Sequence, residues 1–325
     1  MHLPRRLLFV AALCAPTLPA VAQAPFPNQP IRFIVTTAPG SGLDSFSRLV
    51  ARDLTARAGQ QVVVDNRAGA GTTIGSATAA KAKPDGYTVL VNTSALAISP
   101  AIYPKLPYDT LRDLEPLTLG ARAPNLLTVH PSLPVKNVKE LVAMAKGRAA
   151  AGDPLLYASG GSGTNGHLAM ALFLNLAGLQ MTHVPYKGGS VALVEVVGGQ
   201  VPVMMDTVSS IGYQVTAGKL RALGVSSAKR AAAMPNLPTI AEQGVAGYES
   251  AQWYGFLVPT GTPPEAAAWL RREITTLLRT PAMRELLAAD GMEIVAGSPE
   301  EFAAVVRTDI AKWTKLVKAL GLTAQ

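Results

Sequence analysis

The sequence has a single cysteine, Cys14, and it lies within the first two dozen residues. A disulfide framework needs at least two cysteines, while a cysteine metal site or a catalytic thiol needs one in the folded part of the chain. All three are therefore excluded for the sequence beyond residue 22. The fold must be held by a hydrophobic core alone, and a chain of 325 residues is long enough to build one, most simply as two lobes.

Charged and aromatic residues are also scarce. The 29 lysines and arginines outnumber the 21 acidic residues, but they occur in small separate groups such as Lys229-Arg230 and Arg271-Arg272. Scattered bases are typical of solvated helix faces, whereas a nucleic-acid-binding surface needs them on one stripe. Aromatic residues make up only 6% of the chain, which is few for a base-stacking surface. We expect no nucleic-acid partner.

The N-terminal segment has the three-part pattern of a secretory signal peptide. Arg5 and Arg6 precede an apolar run at 7–13, and the small residues Ala20-Val21-Ala22 follow. We predict a signal peptide at 1–22, a periplasmic location, and no membrane insertion after cleavage, because the apolar run is shorter than the ~20 residues of a membrane span. Without the leader, 27 basic residues face 21 acidic ones, a net charge of +6.

Two alternatives stay open for this leader. The pair Arg5-Arg6 is also compatible with twin-arginine export, and Cys14 is a candidate for lipid attachment. Leu13 directly before Cys14 fits a lipid-attachment site poorly, so ordinary signal cleavage is the main prediction.

Short β-rich runs alternate with helical runs, as in α/β proteins with mostly parallel sheets. Strands are predicted at 31–37, 62–64, 87–91, 126–129, 155–158, 201–205, 221–225 and 253–258. Prolines near their first turns mark three late helices, at 264–278, 281–289 and 299–320. We predict two similar lobes, one discontinuous (23–124 with 231–325) and one inserted into it (125–230).

Two glycine-rich turns follow strands in these two sets. Backbone N–H groups at a helix start attract anions, and glycine lets the backbone approach a ligand closely. Since ligands of open α/β sheets bind beyond the carboxyl ends of strands, two such turns facing one cleft predict a site for a small dianion, or for one carboxylate and a polar tail. Plain turns with helix caps are the structural alternative. The candidate residues of the first turn are Pro39, Gly40, Ser41, Gly42 and Leu43, and those of the second are Ser159, Gly161, Gly163, Thr164, Asn165 and His167.

Other candidates lie at neighbouring strand ends, namely Asn92, Thr93, Ser94, Asp206 and Tyr254. Asp206 would repel a bare carboxylate but would accept a hydrogen bond from an ammonium or a hydroxyl, and a role as a helix cap is equally open. A core position for Tyr254 and a structural role for His167 are also open. Asp44 is predicted to cap its helix.

Enzyme signatures are missing or incomplete. The pattern Gly-x-Ser-x-Gly around Ser162 fails at Thr164, and His130, His167 and His183 lack the spacing of metal ligands. The run 69–75 has one residue too many before its last glycine for a dinucleotide fingerprint. We predict no catalytic activity, no metal and no cofactor.

Several long motifs occur in an order that resembles one known family. They include Pro39-Gly40-Ser41-Gly42-Leu43-Asp44, Val63-Val64-Asp65-Asn66-Arg67-Ala68-Gly69-Ala70-Gly71, Pro84-Asp85-Gly86-Tyr87-Thr88 and His183-Val184-Pro185-Tyr186-Lys187-Gly188. Along nearly the whole mature length, the chain resembles the Bug-type periplasmic receptors of tripartite tricarboxylate transporter systems.

This resemblance implies a two-lobed α/β fold of the type II periplasmic-binding-protein kind, with a mostly parallel sheet flanked by helices in each lobe and a ligand cleft between them. It also implies a small carboxylate ligand, such as a dicarboxylate, a tricarboxylate, an acidic amino acid or an aromatic acid, and integral-membrane transporter subunits as partners. A monomer is the default state. A sensing subunit for a membrane signalling protein is the alternative.

Three positions depart from the usual family pattern. Ser41 stands where a second glycine is usual, Leu43 where a threonine is usual, and Thr207 where asparagine is frequent. Because Leu43 replaces a hydroxyl with apolar bulk, we expect a ligand with an apolar or aromatic portion there.

Overall fold

Two β-sheets, each with helices on both faces, make up the described part of the chain. The computed structural model describes residues 25–103, 105–289 and 291–322. The predicted signal peptide at 1–22 lies outside these ranges.

The sheet of the first lobe is mostly parallel at one side and antiparallel at the other. Its strands are β1 (Ile31–Val35), β2 (Val62–Asn66), β3 (Thr88–Thr93), the first part of β4 (Leu114–Val129), β9 (Ala251–Pro259) and the short β10 (Glu293–Ile294). They lie in the order β2-β1-β3-β9-β4, with β10 paired to β4. Phe33 and Ile34 of β1 are buried in different clusters on opposite faces, which explains why this strand reads as a continuous apolar run.

Helices cover both faces of this sheet. They are α1 (Gly42–Ala58), α2 (Thr73–Ala80), α3 (Ala95–Ile102), α8 (Pro264–Leu278), α9 (Pro281–Ala289) and α10 (Pro299–Leu320). The bounds of the last three agree with the sequence prediction. The start of α10 is fixed by a capping box, in which Ser298 accepts from the Glu301 amide while the Glu301 carboxylate accepts from the Ser298 amide.

The sheet of the second lobe contains the end of β4 together with four further strands. These are β5 (Leu156–Ser159), β6 (Thr182–Pro185), β7 (Val203–Thr207) and β8 (Arg221–Val225). The order is β4-β7-β5-β6, with β8 also paired to β4. The helices of this lobe are α4 (Val138–Ala150), α5 (Asn165–Ala177), α6 (Gly189–Val197) and α7 (Val208–Thr216).

Strand β4 belongs to both sheets. It pairs with β9 as far as Pro124, with β7 from Asn125 onward and with β8 from Leu126 onward. The sequence predicted only its last four residues as strand. The chain returns beside this point, where the Ser226 amide donates to Asn125 O (2.9 Å) and the Ser250 amide donates to Ser226 O (2.9 Å).

Residues 231–250 pack mainly with the second lobe. Ile240, Val245 and Tyr248 lie in the same core cluster as Tyr157 and Val203. These contacts favour a return crossing near Ser250, and the predicted boundary at residue 230 stays a prediction.

The two lobes contact each other through α5. Leu168 and Ala171 of this helix share a core cluster with Ile98, Ile102 and Trp313 of the first lobe. None of the helices within the described ranges is both long and apolar enough to cross a bilayer.

Candidate functional site

The carboxyl ends of the parallel strands of both sheets meet where β4 crosses between the lobes. Strands β1, β2 and β3 are parallel, as are β5, β6 and β7. Antiparallel pairing places Tyr254 opposite Thr93 in one sheet and Asn125 opposite Thr207 in the other. The loops that follow six strands, three from each lobe, therefore lie along one seam, the position where an open α/β sheet binds ligands.

The first glycine-rich turn, 39–43, is largely satisfied by its own side chains. Ser41 is the N-cap of α1 and accepts a hydrogen bond from the Asp44 amide (3.2 Å). The buried Asp44 carboxylate accepts from the Gly40 amide (2.8 Å), from Arg48 Nε (3.0 Å) and from Asn66 Nδ2 (2.9 Å). Ser41 is therefore the cap, which corrects the prediction for Asp44, and the Gly40 amide already has a partner.

Two amides of this turn remain candidates for a ligand. Those of Gly42 and Leu43 lie in the first turn of α1, where the helical pattern provides no carbonyl acceptor. The Leu43 side chain, however, is enclosed in the core with Phe46 and Val50. It presents no apolar surface to a ligand, which corrects the expectation drawn from the family departure at this position. Pro39 is exposed at the start of the turn.

The strand end 92–94 serves mainly to join elements of the first lobe. The buried Asn92 accepts from Thr36 Oγ1 (2.8 Å) and donates to Ser76 Oγ (2.8 Å). Thr93 Oγ1 accepts from the Ala95 amide (3.2 Å). Ser94 is the member that reaches the other lobe, because its hydroxyl lies 3.4 Å from Asn165 Oδ1.

The second turn, 159–165, uses its hydroxyl groups internally. Ser159 Oγ lies 2.7 Å from His183 Nε2 and accepts from the Gly161 amide (3.1 Å). Thr164 Oγ1 donates to Gly161 O (2.8 Å). Thr164 stands at the N-cap position of α5 without making a side-chain cap bond. The amides of the first turn of α5 are consequently left uncapped, unlike those of α1.

This turn touches the opposite lobe at two points. Asn165 Oδ1 lies 3.4 Å from Ser94 Oγ of the first lobe, while Asn165 Nδ2 donates to Asn125 Oδ1 (2.8 Å) at the crossing. A Cβ atom placed on Gly163, which has a φ of +78°, would lie 3.3 Å from Ile102 Cγ2. Both the left-handed conformation and the close approach explain why glycine stands here.

His167 lies in a stack of three rings behind the second turn. Its ring is 4.1 Å from that of His183, which stacks in turn on Tyr157 at 4.9 Å. The Gly163 amide donates to His167 Nδ1 (3.1 Å), so this nitrogen must be unprotonated. Burial, with a smaller contribution from the neighbouring His183, lowers the pKa of His167 to about 3, and burial lowers the pKa of His183 to about 4. The observed contacts of His167 favour a structural role.

Asp206 lies near the end of β7, beside the start of α6. Its Oδ1 accepts from the Thr207 amide (2.7 Å), and a Cβ atom placed on Gly189 would lie 2.8 Å from its Oδ2. Burial raises the pKa of Asp206 to about 6, against the opposing effect of the Thr207 amide and the Ser210 hydroxyl. The side chain still keeps part of its surface exposed.

Tyr254 connects the first turn to the second lobe. It is buried against Phe46, and a Cβ atom placed on Gly42 would lie 2.8 Å from Tyr254 Oη and 3.0 Å from Ser209 Oγ. Burial raises the pKa of Tyr254 to about 12, so the phenol is neutral. The first turn thus faces the start of α7, whereas the second turn faces α3.

Sequence reasoning missed Asn125, Ser209 and the start of α6. Asn125 is fully buried at the crossing, and its Nδ2 has no hydrogen-bond partner in the described part of the chain. The sequence feature that could have indicated Asn125 is its position as a polar residue directly before the apolar run at 126–129. A Cβ atom on Gly160 would lie 2.7 Å from the Gly189 amide, so the turn after β6 closes the same seam. Two adjacent glycines, Gly188 and Gly189, were the available signal there.

Backbone, hydroxyl and amide groups line most of the seam, and the Asp206 carboxylate lies beside them at the start of α6. Among the cationic side chains that are close to these turns along the chain, Arg48 forms an ion pair with Asp44 and Lys187 is exposed to solvent. Within the described ranges, no three carboxylate, imidazole or thiol groups lie close enough together to hold a metal ion. This chemistry suits binding of an anion through N–H dipoles.

Comparison with known proteins decides the family. A sequence profile described as the tripartite tricarboxylate transporter family receptor, TctC, matches residues 46–322. The chain belongs to this receptor family. A UPF0065 protein from the tcbD-tcbE intergenic region of Pseudomonas sp. strain P51 is 38% identical, over 98% of this chain and 95% of the relative. BugT of Bordetella pertussis is 33% identical, over 96% of this chain and 94% of its own length.

Solved structures of TctC receptors and their relatives share this fold. R. palustris Rpa4515 with adipate is 34% identical with a TM-score of 0.85, and the match covers 92% of this chain and 100% of that one. The periplasmic binding protein BugD is 31% identical with a TM-score of 0.84 and the same coverage. MatC of Rhodopseudomonas palustris with bound malate is 28% identical, with a TM-score of 0.82, over 90% of this chain and 100% of MatC. The predicted Bug-type family and the two-lobed α/β fold are confirmed.

Proposed function

We propose that this TctC receptor captures a small carboxylate between its lobes in the periplasm and delivers it to a tripartite tricarboxylate-type membrane transporter. The observation that carries the proposal is the uncapped start of α5 at the seam, opposite α3 of the first lobe. Free amides of a helix first turn bind a carboxylate without any cationic side chain. Rpa4515 with adipate and MatC with malate support the ligand class.

The proposed contacts divide between the two lobes. The first lobe offers the amides of Gly42 and Leu43 and the hydroxyl of Ser94. The second offers the first-turn amides of α5 and the unpaired Asn125 Nδ2. A buried donor without an acceptor costs roughly 1–3 kcal/mol, and a ligand carboxylate or an ordered water would supply the acceptor.

The proposed role is binding and release without chemistry. The relatives named for a role are receptors and binding proteins. Burial keeps both imidazoles that contact the second turn, those of His167 and His183, neutral. The same proposal includes export with cleavage after residue 22 and a monomeric mature protein. Mass spectrometry of the purified protein measures the mass of the assembly and locates the cleavage site.

Thermal unfolding with a panel of carboxylates tests the capture. A ligand that binds only the folded state raises the midpoint progressively with concentration. We expect one dicarboxylate, tricarboxylate, acidic amino acid or aromatic acid to do so, with matched neutral amides inactive. A panel that shifts nothing at millimolar concentration would contradict the proposal. Native mass spectrometry of the protein as purified adds an independent search for a retained ligand.

A further inference from the structure

The Asp206 carboxylate is the charged group at the seam that the proposed carboxylate capture does not explain. It lies at the carboxyl end of β7, on the same sheet edge as the second glycine-rich turn. Its Oδ2 lies against Gly189, and Gly189 in turn lies against Gly160 of that turn. A ligand anion that extends from the second turn toward the start of α6 would therefore meet a second negative charge.

The protein does little to neutralise this charge. The Thr207 amide and the Ser210 hydroxyl stabilise the carboxylate. Tyr254 of β9 is the ionisable group whose pKa Asp206 influences, and its phenol is neutral at physiological pH. In the ranges that the structure describes, no cationic side chain pairs with Asp206 or lowers its pKa. The amides of α6 do not donate to it there either.

A ligand carboxylate in contact with Asp206 would need a proton or another donor between the two groups. Either Asp206 is protonated, or the ligand carries its own donor next to its carboxylate. We infer that Asp206 is a specificity-determining residue that selects ligands with a hydroxyl or ammonium group beside the carboxylate over plain dicarboxylates. This inference rests on the proposed function and narrows its ligand class to hydroxy and amino acids with two carboxylates.

The burial of Asp206 agrees with this selection. With its pKa raised to about 6, the carboxyl is mostly ionised at pH 7.5 and accepts a hydrogen bond from the ligand. As the pH falls toward 6, the protonated form itself becomes a donor and tolerates a plain dicarboxylate. Selectivity for the donor group is therefore strongest at high pH.

Calorimetric titration with matched acids tests the inference. Succinate, malate and aspartate share four carbons and differ at C2 in hydrogen, hydroxyl and ammonium, and glutarate, 2-hydroxyglutarate and glutamate form the five-carbon series. At pH 8.0, we expect the acid with a donor to bind at least about tenfold more tightly than its plain partner, as for a hydrogen bond to a charged group. In Asp206→Asn, this ratio should fall below about threefold.

The pH dependence gives a second readout. Between pH 8.0 and 7.0 succinate and glutarate stay fully ionised, and their affinity should rise by up to about tenfold in the wild-type protein. It should not change in Asp206→Asn. Asp153→Asn, which removes an exposed carboxylate of the same lobe, is the control for net charge and should behave like the wild type.

The outcomes separate the two proposals. Equal affinity for plain and donor-bearing acids in the wild-type protein would overturn the role of Asp206 and leave carboxylate capture intact. A failure of all six acids to bind would overturn the role of Asp206 as well, and the broad carboxylate panel in thermal unfolding then decides on carboxylate capture separately. If Asp206→Asn does not fold, the wild-type series decides alone.

Discussion

The two glycine-rich turns look alike in sequence but differ in how their helix starts are satisfied. At the first turn, Ser41 caps α1 and the Asp44 carboxylate holds the Gly40 amide. At the second, Thr164 makes no cap bond and no acidic residue lies in the first turn of α5. Side chains of the first turn and of α1 satisfy much of the first turn and leave the Gly42 and Leu43 amides as its candidate donors, whereas no side chain among the described residues caps the second turn. The comparison teaches that glycine content predicts where a backbone bends, whereas the neighbouring side chains decide whether its amides are free.

The largest expected difference between the turns comes from Gly163→Val. A valine there combines a left-handed φ of +78° with a Cβ 3.3 Å from Ile102, and it disturbs the start of α5. We expect at least about a hundredfold loss of ligand affinity by calorimetry. Gly152→Val is the matched control, because Gly152 has a φ of +77° and open space around it. Equal loss of affinity in both variants would remove the second turn from the site.

As the pH falls, the contribution of the second turn to the free energy of unfolding should be lost before that of the first turn. His167 has a folded pKa of about 3, well below its ordinary value, so its neutral form stabilises the fold at pH 7. That stability is lost as the pH falls below about 6.5, by roughly 3 kcal/mol at pH 4.5. The pKa of Asp44 is lowered from its ordinary value, so its contribution is lost only at more acid pH.

Denaturant unfolding at pH 7.0, 5.5 and 4.5 measures this contrast. His167→Asn keeps an acceptor for the Gly163 amide and should make the free energy of unfolding less dependent on pH. An unchanged slope would show that His167 does not titrate as its burial requires. His130, which is outside the ring stack and bonds to Ser132, is the control position through His130→Asn.

Asp44→Asn tests the internal hydrogen bonds of the first turn. The change removes charge-assisted hydrogen bonds to Arg48 and the Gly40 amide, so we expect a loss of about 1.5 kcal/mol in the free energy of unfolding. Ligand affinity should stay within about fivefold, because the carboxylate is a partner of the turn itself. A hundredfold change in calorimetry would show that the first turn carries the ligand instead.

Ser41→Ala should have the smallest effect of the series. Loss of an N-cap hydroxyl costs roughly 0.5–1 kcal/mol of stability. Because the Gly42 and Leu43 amides are unchanged, ligand affinity should fall by less than about threefold. Thermal unfolding and calorimetry on the same preparation check both values, with Ser298→Ala at the start of α10 as a cap control remote from the seam.

Local patterns predicted most of the fold, and for the candidate site they predicted the strand ends that lie along the seam. The late helices were predicted closely because prolines and a 3.6-residue apolar period mark them. The first three-quarters of β4 was missed, since Pro116 and Gly120 break its apolar pattern and its pairing with β9 spans more than a hundred residues. The roles of Asn125 and Ser209 also arise from contacts between distant segments, which no local pattern reports.

The unbroken course of β4 through both sheets limits how the lobes can swing apart. A flexible linker would allow rotation about many bonds, but here the residues at the changeover are Pro124 and Asn125. The proline ring fixes one of the two backbone torsions at its position. If the proposed cleft opens, the movement must turn the few torsions at this changeover and at the return crossing near Ser250. A joint with so few torsions restricts the directions in which one lobe can move relative to the other.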